Sequence, residues 1–429
     1  MFRVVWIITI AAPLQHYQGR PSIIIKSTDM QQPVINQQKR IESIDILRGI
    51  VMVIMALDHV RDYFHIGANT DNPLNLATTT PLLFFTRWIT HFCAPIFVFL
   101  SGTSIYLQSL RKTKKALSAF LIKRGLWLVF AEVIIVSFAW SFNPHYDFIF
   151  LQVIWAIGSS MVILGLLIQL PFNFIFLLGI IIVFGHNLLD IPEAAPGFKA
   201  GFWWDLLHHG SFVVYPYMQH HAAFLVYAFL PWTGLMMLGY CTGIFFTEKF
   251  SAIQRRKNLL LIGSGLILFF IVVRFINVYG DPVPWRTQKN SLYTLLSFVN
   301  VNKYPPSLLY MSVTIGLAFL FLSFIEKIQN GFTKIMVIYG RVPFFYYILH
   351  IYLVHLLAVI AFFIRGHSAA EITNTGTRFP FYFVVPGEGY SLAVVYIIWL
   401  AVVIALFPLC KWYNHYKTLH KEKWWLSYL

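Results

Sequence analysis

The sequence predicts an all-α fold, a polytopic membrane helix bundle of about ten transmembrane helices with both termini in the cytosol. Three observations carry that prediction. The 429-residue chain is 58% hydrophobic and only 11% charged, with a mean hydropathy of +0.68, whereas soluble domains are about 25% charged. Apolar runs of spanning length recur from Ile46 to Leu409, and the polar stretches between them are too short for a soluble domain. Most of the 32 lysines and arginines fall on alternate connections, the side that also holds both chain ends. The net charge of +15 invites a nucleic-acid partner, but the basic residues come in short clusters between apolar spans, a pattern that sets membrane orientation.

Taken in order, residues 1–40 read as a flexible cytosolic tail. Met1–Pro13 is too short to span and lacks a signal-peptide cleavage pattern, and Met30 is an alternative start. Residues 41–412 form the transmembrane domain, and 413–429 a basic, aromatic cytosolic tail. The first span is expected from about Ile46 to Tyr63, the second Leu83–Leu107 and the third Phe120–Trp140. The fourth covers Phe148–Leu170, and only a Pro-containing turn separates it from the fifth, Phe174–Leu189. The remaining spans are Ala222–Phe246, Leu259–Val278, Pro306–Phe324, Val337–Phe363 and Leu392–Leu409. The outer loops 190–221, 280–305 and 365–390 are rich in aromatic residues, His, Pro and Gly. Rings beside polar groups suit stacking on sugars, although Trp and Tyr also form the interfacial belt of any membrane protein. Cys93, Cys241 and Cys410 offer neither metal-ligand spacing nor a disulfide framework and read as packing residues.

Function concentrates in residues 43–65, SIDILRGIVMVIMALDHVRDYFH. Ile50–Leu57 is apolar enough to enter a bilayer, yet Asp45 and Arg48 stand before it and Asp58, His59, Arg61, Asp62 and His65 after it. Ionisable groups at that depth are costly and face a bundle interior or a watery cavity. On a helix Arg48 and His59 are three turns plus about 20° apart, hence on one face and roughly 16 Å distant along the axis. The plainer reading is a charged helix end whose side chains snorkel to the interface. His91, in the second span, is expected at a depth that matches His59, with Arg87 one turn further out; the alternative for each histidine is a bond to a backbone carbonyl. In the ninth span His350 and His355 differ by about 140° around the helix, so at most one faces the same cavity, and His350 is favoured. Glu132 is a lone carboxylate deep in the third span. At the cytosolic ends Arg48, Lys123, Arg124 and Arg341 suit a cationic ring for a phosphate-rich ligand, because guanidinium groups bind phosphate as a fork. The competing explanation is the ordinary positive-inside bias.

Four stretches carry a family resemblance: RIESIDILRGIVMVIMALDHVRDYFH at 40–65, THFCAPIFVFLSG at 90–102, KYPPSLLYMSVTIG at 303–316 and GRVPFFYYILHIYLVH at 340–355. Together they resemble a bacterial family of membrane proteins related to the catalytic domain of heparan-alpha-glucosaminide N-acetyltransferase, over roughly residues 40–410. The Arg-Gly followed at this distance by a His is also similar to the first span of the wider transmembrane acyltransferase superfamily. The resemblance implies transfer of an acetyl or other acyl group from cytosolic acyl-CoA, acetyl-CoA above all, to a sugar or glycolipid acceptor on the far side of a bacterial inner membrane. It makes His59 the catalytic candidate and links Arg48, Lys123 and Arg124 to the donor. His350 matches a late-helix histidine of the relatives. The lysosomal enzyme has an Asn in the register of His59 and its catalytic His a few residues later, which leaves His65 as a second candidate base.

These readings combine into a mechanism. Acyl-CoA phosphates rest on Arg48, Lys123, Arg124 and Arg341, and His59, oriented by Asp62 or Asp58, takes the acceptor proton. His91 or His350 steadies the oxyanion or guides the acceptor; an acyl-histidine intermediate is the covalent variant. Membrane lipid is an expected partner, nucleic acid is not, and a homodimer is compatible with the chain. The alternative from another class is a proton-coupled secondary transporter using the same buried His, Asp and Arg residues, against which stands the absence of a repeat between the two halves. A metal site from His59, His91, Asp58 and Asp62 lacks compact ligand spacing, so no metal is expected.

Overall fold

The structure, a computed structural model, describes residues 41–210, 212–372 and 380–427. The expected tail at 1–40 lies outside them. The chain is mostly helical and opens on α1 (Glu42–Phe64), a helix buried along most of its length that packs against α2 (Pro81–Thr90), α3 (Cys93–Ser109) and four later helices. Next come α4 (Lys114–Ala131), a π turn at Glu132–Val136 and α5 (Ser137–Ser141). β1 (Phe148–Leu151), α6 (Val153–Leu167), α7 (Phe172–Gly185), α8 (Asp190–Glu193) and α9 (Phe202–Trp204) follow. A hairpin of β2 (Val213–Met218) and β3 (His221–Leu225) leads into α10 (Phe229–Thr242) and α11 (Ala252–Ile276). The chain closes with α12 (Ser291–Val299), α13 (Leu308–Ile325), α14 (Gly331–Arg341), α15 (Pro343–Ile364) and α16 (Leu392–Leu419).

Two features depart from an all-α bundle of about ten spans. A three-stranded sheet, with β3 in the middle, parallel to β1 and antiparallel to β2, uses the starts of the expected fourth and sixth spans. Apolar runs of four or five residues such as FIFL have no helical period to distinguish them from a buried strand. Among the described residues seven helical stretches are long and apolar enough to cross a membrane: Pro81–Ser109, Phe172–Glu193, Phe229–Phe246, Ala252–Ile276, Leu308–Ile325, Pro343–Ile364 and Leu392–Leu419. The other three expected spans do not meet that measure of length and apolarity. α1 carries the charges named above, α4 carries Lys114, Lys115, Lys123 and Arg124, and α6 is only 15 residues long. The expected boundary at 412 falls inside α16.

Proline marks two breaks that hydropathy runs through. Pro95 has no N–H to offer the carbonyl of His91 one turn back, so the chain breaks between α2 and α3 and the Tyr310 hydroxyl takes that carbonyl at 2.6 Å. Pro343 likewise begins α15, and the Val342 N–H bonds the Tyr339 carbonyl instead, which splits the expected ninth span into α14 and α15. Glycine sets the closest crossings. A Cβ on Gly49 would lie 1.9 Å from the Met336 carbonyl oxygen, and one on Gly340 would lie 1.9 Å from that of Asp45, so α1 and α14 touch backbone to backbone.

Candidate active site

α1 presents Met55, Asp58, His59 and Asp62 to a cavity of about 350 Å³. Their i, i+3, i+4, i+7 spacing makes them one helical stripe. Across the cavity stand Arg87 and His91 at the α2–α3 break, Gln152 after β1, and Asn302, Lys303 and Tyr304 before α13. Trp140, Phe150, Phe224, Tyr347 and Phe381 supply aromatic walls. The π turn at Glu132–Val136 fits an extra residue into one turn and so resets the face that α5 presents, and Trp140 is on that helix. The Trp140 ring meets His59 edge-on, centroids 4.7 Å apart, and Phe381 stacks on Trp140 at 5.4 Å.

His59 is held by a second histidine. Its Nδ1 lies 2.7 Å from Nε2 of His350, whose own Nδ1 lies 3.0 Å from the Tyr346 carbonyl oxygen. A carbonyl only accepts, so Nδ1 of His350 carries the hydrogen and its Nε2 is the acceptor in the neutral ring. Nδ1–H of His59 therefore donates to His350, and Nε2 of His59 is left with a free lone pair. His350 is fully buried, and Tyr346 stacks on it at 5.1 Å. His355, as the helical angle requires, faces elsewhere: its two ring nitrogens meet the carbonyls of Ala139 and Tyr382 at 2.9 and 3.0 Å.

The carboxylates do not take the expected place beside His59. Arg61 donates to Asp58 at 2.8 Å and to Asp62 at 2.6 Å, and Arg87 pairs with the other oxygen of Asp58. Asp58 and Arg61 are both buried, and a buried charge persists only with its partner. This cluster ties α1 to α2 at the cavity wall, and the side chain bonded to the His59 ring is that of His350. His91 shares the cavity with His59 as expected; it is buried, packs edge-on against Tyr310 at 5.8 Å, and its Nδ1 has no hydrogen-bond partner among the described residues. His65 lies past the end of α1, paired in a bridge with Tyr390, its Nδ1 accepting the Gly67 N–H at 3.2 Å. It is not among the residues lining the cavity. Partial burial and nearby Arg61 hold its ring below the usual imidazole range.

At the other end of α1 the expected cationic ring is, in part, a closed ion-pair seam. Arg48 donates to Asp45 (3.2 Å), the Gly340 carbonyl (3.2 Å) and Ser104 Oγ (3.0 Å). Arg341 reaches Asp45 and Glu42, each at 3.5 Å. The glycines beside these arginines, Gly49 and Gly340, serve the helix crossing. Exposed Lys123 and half-buried Arg124 stand on α4, whose main packing partner is α6. The cavity lining on α1 begins at Met55 and does not include Arg48.

Sequence reasoning missed the direct His59–His350 bond, the wall residue Trp140, and Lys303. Lys303 is buried, with its ammonium 5.1 Å from the Tyr304 ring, and it opens one of the motifs quoted above. No curated protein matches the chain. Residues 40–273 match the family model described as heparan-alpha-glucosaminide N-acetyltransferase, catalytic.

Proposed function

The chain belongs to the heparan-alpha-glucosaminide N-acetyltransferase catalytic family, and from that premise we propose that this membrane acetyltransferase moves an acetyl group from acetyl-CoA to an amino or hydroxyl group of a sugar acceptor. The observation that carries the reading is the His59–His350 pair, which leaves Nε2 of His59 unprotonated beside an aromatic-walled polar cavity.

In this mechanism the acceptor enters the cavity and stacks on Trp140 and Phe381. Nε2 of His59 takes the acceptor proton as its nitrogen or oxygen attacks the thioester carbonyl. The C–N or C–O bond forms, the C–S bond breaks, and the imidazolium returns the proton to the leaving CoA sulfur. His350 accepts throughout from Nδ1–H of His59 and steadies the cation formed in between. Arg87, Lys303 and His91 supply positive or donor groups for the developing oxyanion. Asp58 and Asp62 act through Arg61 and Arg87 by keeping the wall in place. Lys123 and Arg124 contact the donor phosphates. Arg48 and Arg341, already sharing Asp45, are weaker candidates for that contact, since two carboxylates offset their charge. The Lys/Arg pattern supports a cytosolic donor side and an extracytoplasmic cavity. The family match supports transfer chemistry and lends nothing to a transporter.

The test is purified protein in lipid nanodiscs given acetyl-CoA with glucosamine-terminated oligosaccharides, following free CoA thiol and acetylated product. Acceptor-dependent thiol release is expected. If a folded protein neither releases thiol nor gains thermal stability from added CoA, the reading is wrong.

A further inference from the structure

Outside the His59 cavity, the stretch between α7 and β2 builds a second polar cluster. Asp190 and Glu193 stand one turn apart on α8, and His208 arrives from a π turn at Asp205–His209. One ligand atom from each lies within 4.8 Å of the others. We propose that Asp190, Glu193 and His208 bind one divalent transition-metal ion of the zinc class, and that the ion fastens the 190–209 segment to the end of α7.

Three observations support the site. The donors suit the ion: zinc takes imidazole nitrogen and carboxylate oxygen at about 2.0–2.2 Å, and ligands at that radius sit roughly 3–4 Å apart, which the cluster nearly provides already. The outer hydrogen bonds suit coordinated ligands. Asn187 donates to Asp190 Oδ2 at 2.7 Å and Trp204 to Glu193 Oε1 at 2.8 Å, so the second oxygen of each carboxylate remains for an ion. With His208 Nδ1 on the ion, its Nε2–H donates to Nδ1 of His186, 3.0 Å away, the outer-shell bond of a metal-bound imidazole.

The charge is the independent point. Among the described residues neither Asp190 nor Glu193 has a lysine or arginine partner; the one ion pair there is His208 with Glu193 at 2.8 Å. The donor set is thus two carboxylates, neither reached by a lysine or arginine, converging on one fully buried imidazole. A divalent cation balances both carboxylates.

The experiment uses the full chain in detergent, stripped with EDTA, reloaded with zinc chloride and dialysed against metal-free buffer. The wild type is expected to retain one zinc per chain and to unfold at a higher temperature than the stripped protein. Glu193→Gln and His208→Gln are each expected to cut retained zinc about tenfold or more, while His59→Ala retains it in full. Cobalt loaded into the wild type gives visible d–d absorption if the site binds it, a readout that needs no variant. No retained zinc and no cobalt band in the folded wild type overturn the proposal, as does zinc that survives both substitutions.

Discussion

The two ends of α1 use the same residue types for opposite ends. Around Arg48 every charge is closed upon another: Asp45 lies between Arg48 and Arg341, and glycines bring the α1 and α14 backbones into contact. Around His59 the charges are also paired, Asp58 and Asp62 with Arg61 and Arg87, yet they wall a cavity instead of filling a seam. The difference lies in what is left over. At the first end arginine hydrogen bonds run to a carboxylate, a hydroxyl and a backbone carbonyl; at the second, an imidazole nitrogen keeps its lone pair. A charged residue in a buried helix is thus no pointer to chemistry by itself. The pointer is the group that pairing leaves available.

That contrast can be broken in order of expected effect. Replacing His59 with Ala should lower acetyl transfer by about 10²–10⁴-fold, the range for losing a general base, while His65→Ala leaves the rate near wild type. Equal losses in steady-state assays of the two folded variants would remove the distinction between the cavity and the helix end. His350→Ala should cost less, about 1–3 kcal/mol for an unpaired ring N–H, or roughly 5- to 150-fold in kcat. His350→Gln, whose side-chain carbonyl can accept from His59, should recover part of it; no recovery would mean that His350 acts by packing alone.

At the closed end the loss should be in stability. Gly340→Ala must push a methyl against the Asp45 carbonyl and should destabilise by about 1–3 kcal/mol, read as a lower unfolding temperature in detergent. Arg48→Ala, which removes one of the ion pairs of Asp45, should behave similarly, with KM for acetyl-CoA unchanged in the protein that folds. A large rise in that KM would restore Arg48 to the donor site. The smallest effect concerns His367, whose ring nitrogens meet Glu388 and Glu371, each at 2.9 Å. Those bonds raise its pKa, so their contribution is fully present below the ordinary imidazole value of about 6.5 and is lost as pH rises through the raised value. His367→Gln should flatten that dependence in thermal scans across the same window.

Much of this was legible in the sequence. The charged ends of the first helix, the meeting of His59 and His91 at one cavity, and the divergence of His350 from His355 follow from helical angles and the cost of buried ionisable groups. The partner of His59 did not follow, because an aspartate one turn away in sequence looks closer than a histidine on α15. Arg61 and Arg87 capture those aspartates, and only the tertiary packing of α1 on α2 and α15 decides the contest. Hydropathy also could not distinguish β1 and β3 from helix, and it passed over the breaks at Pro95 and Pro343. The glycines next to Arg48 and Arg341 made both arginines look special, whereas the backbone contact between helices accounts for them.

Chemical rescue tests the central claim most directly. In folded His59→Ala protein, added imidazole should enter the vacated space beside Trp140 and restore acetyl transfer in proportion to its unprotonated concentration. Wild-type turnover in that variant without imidazole would contradict the assignment of His59 as the base.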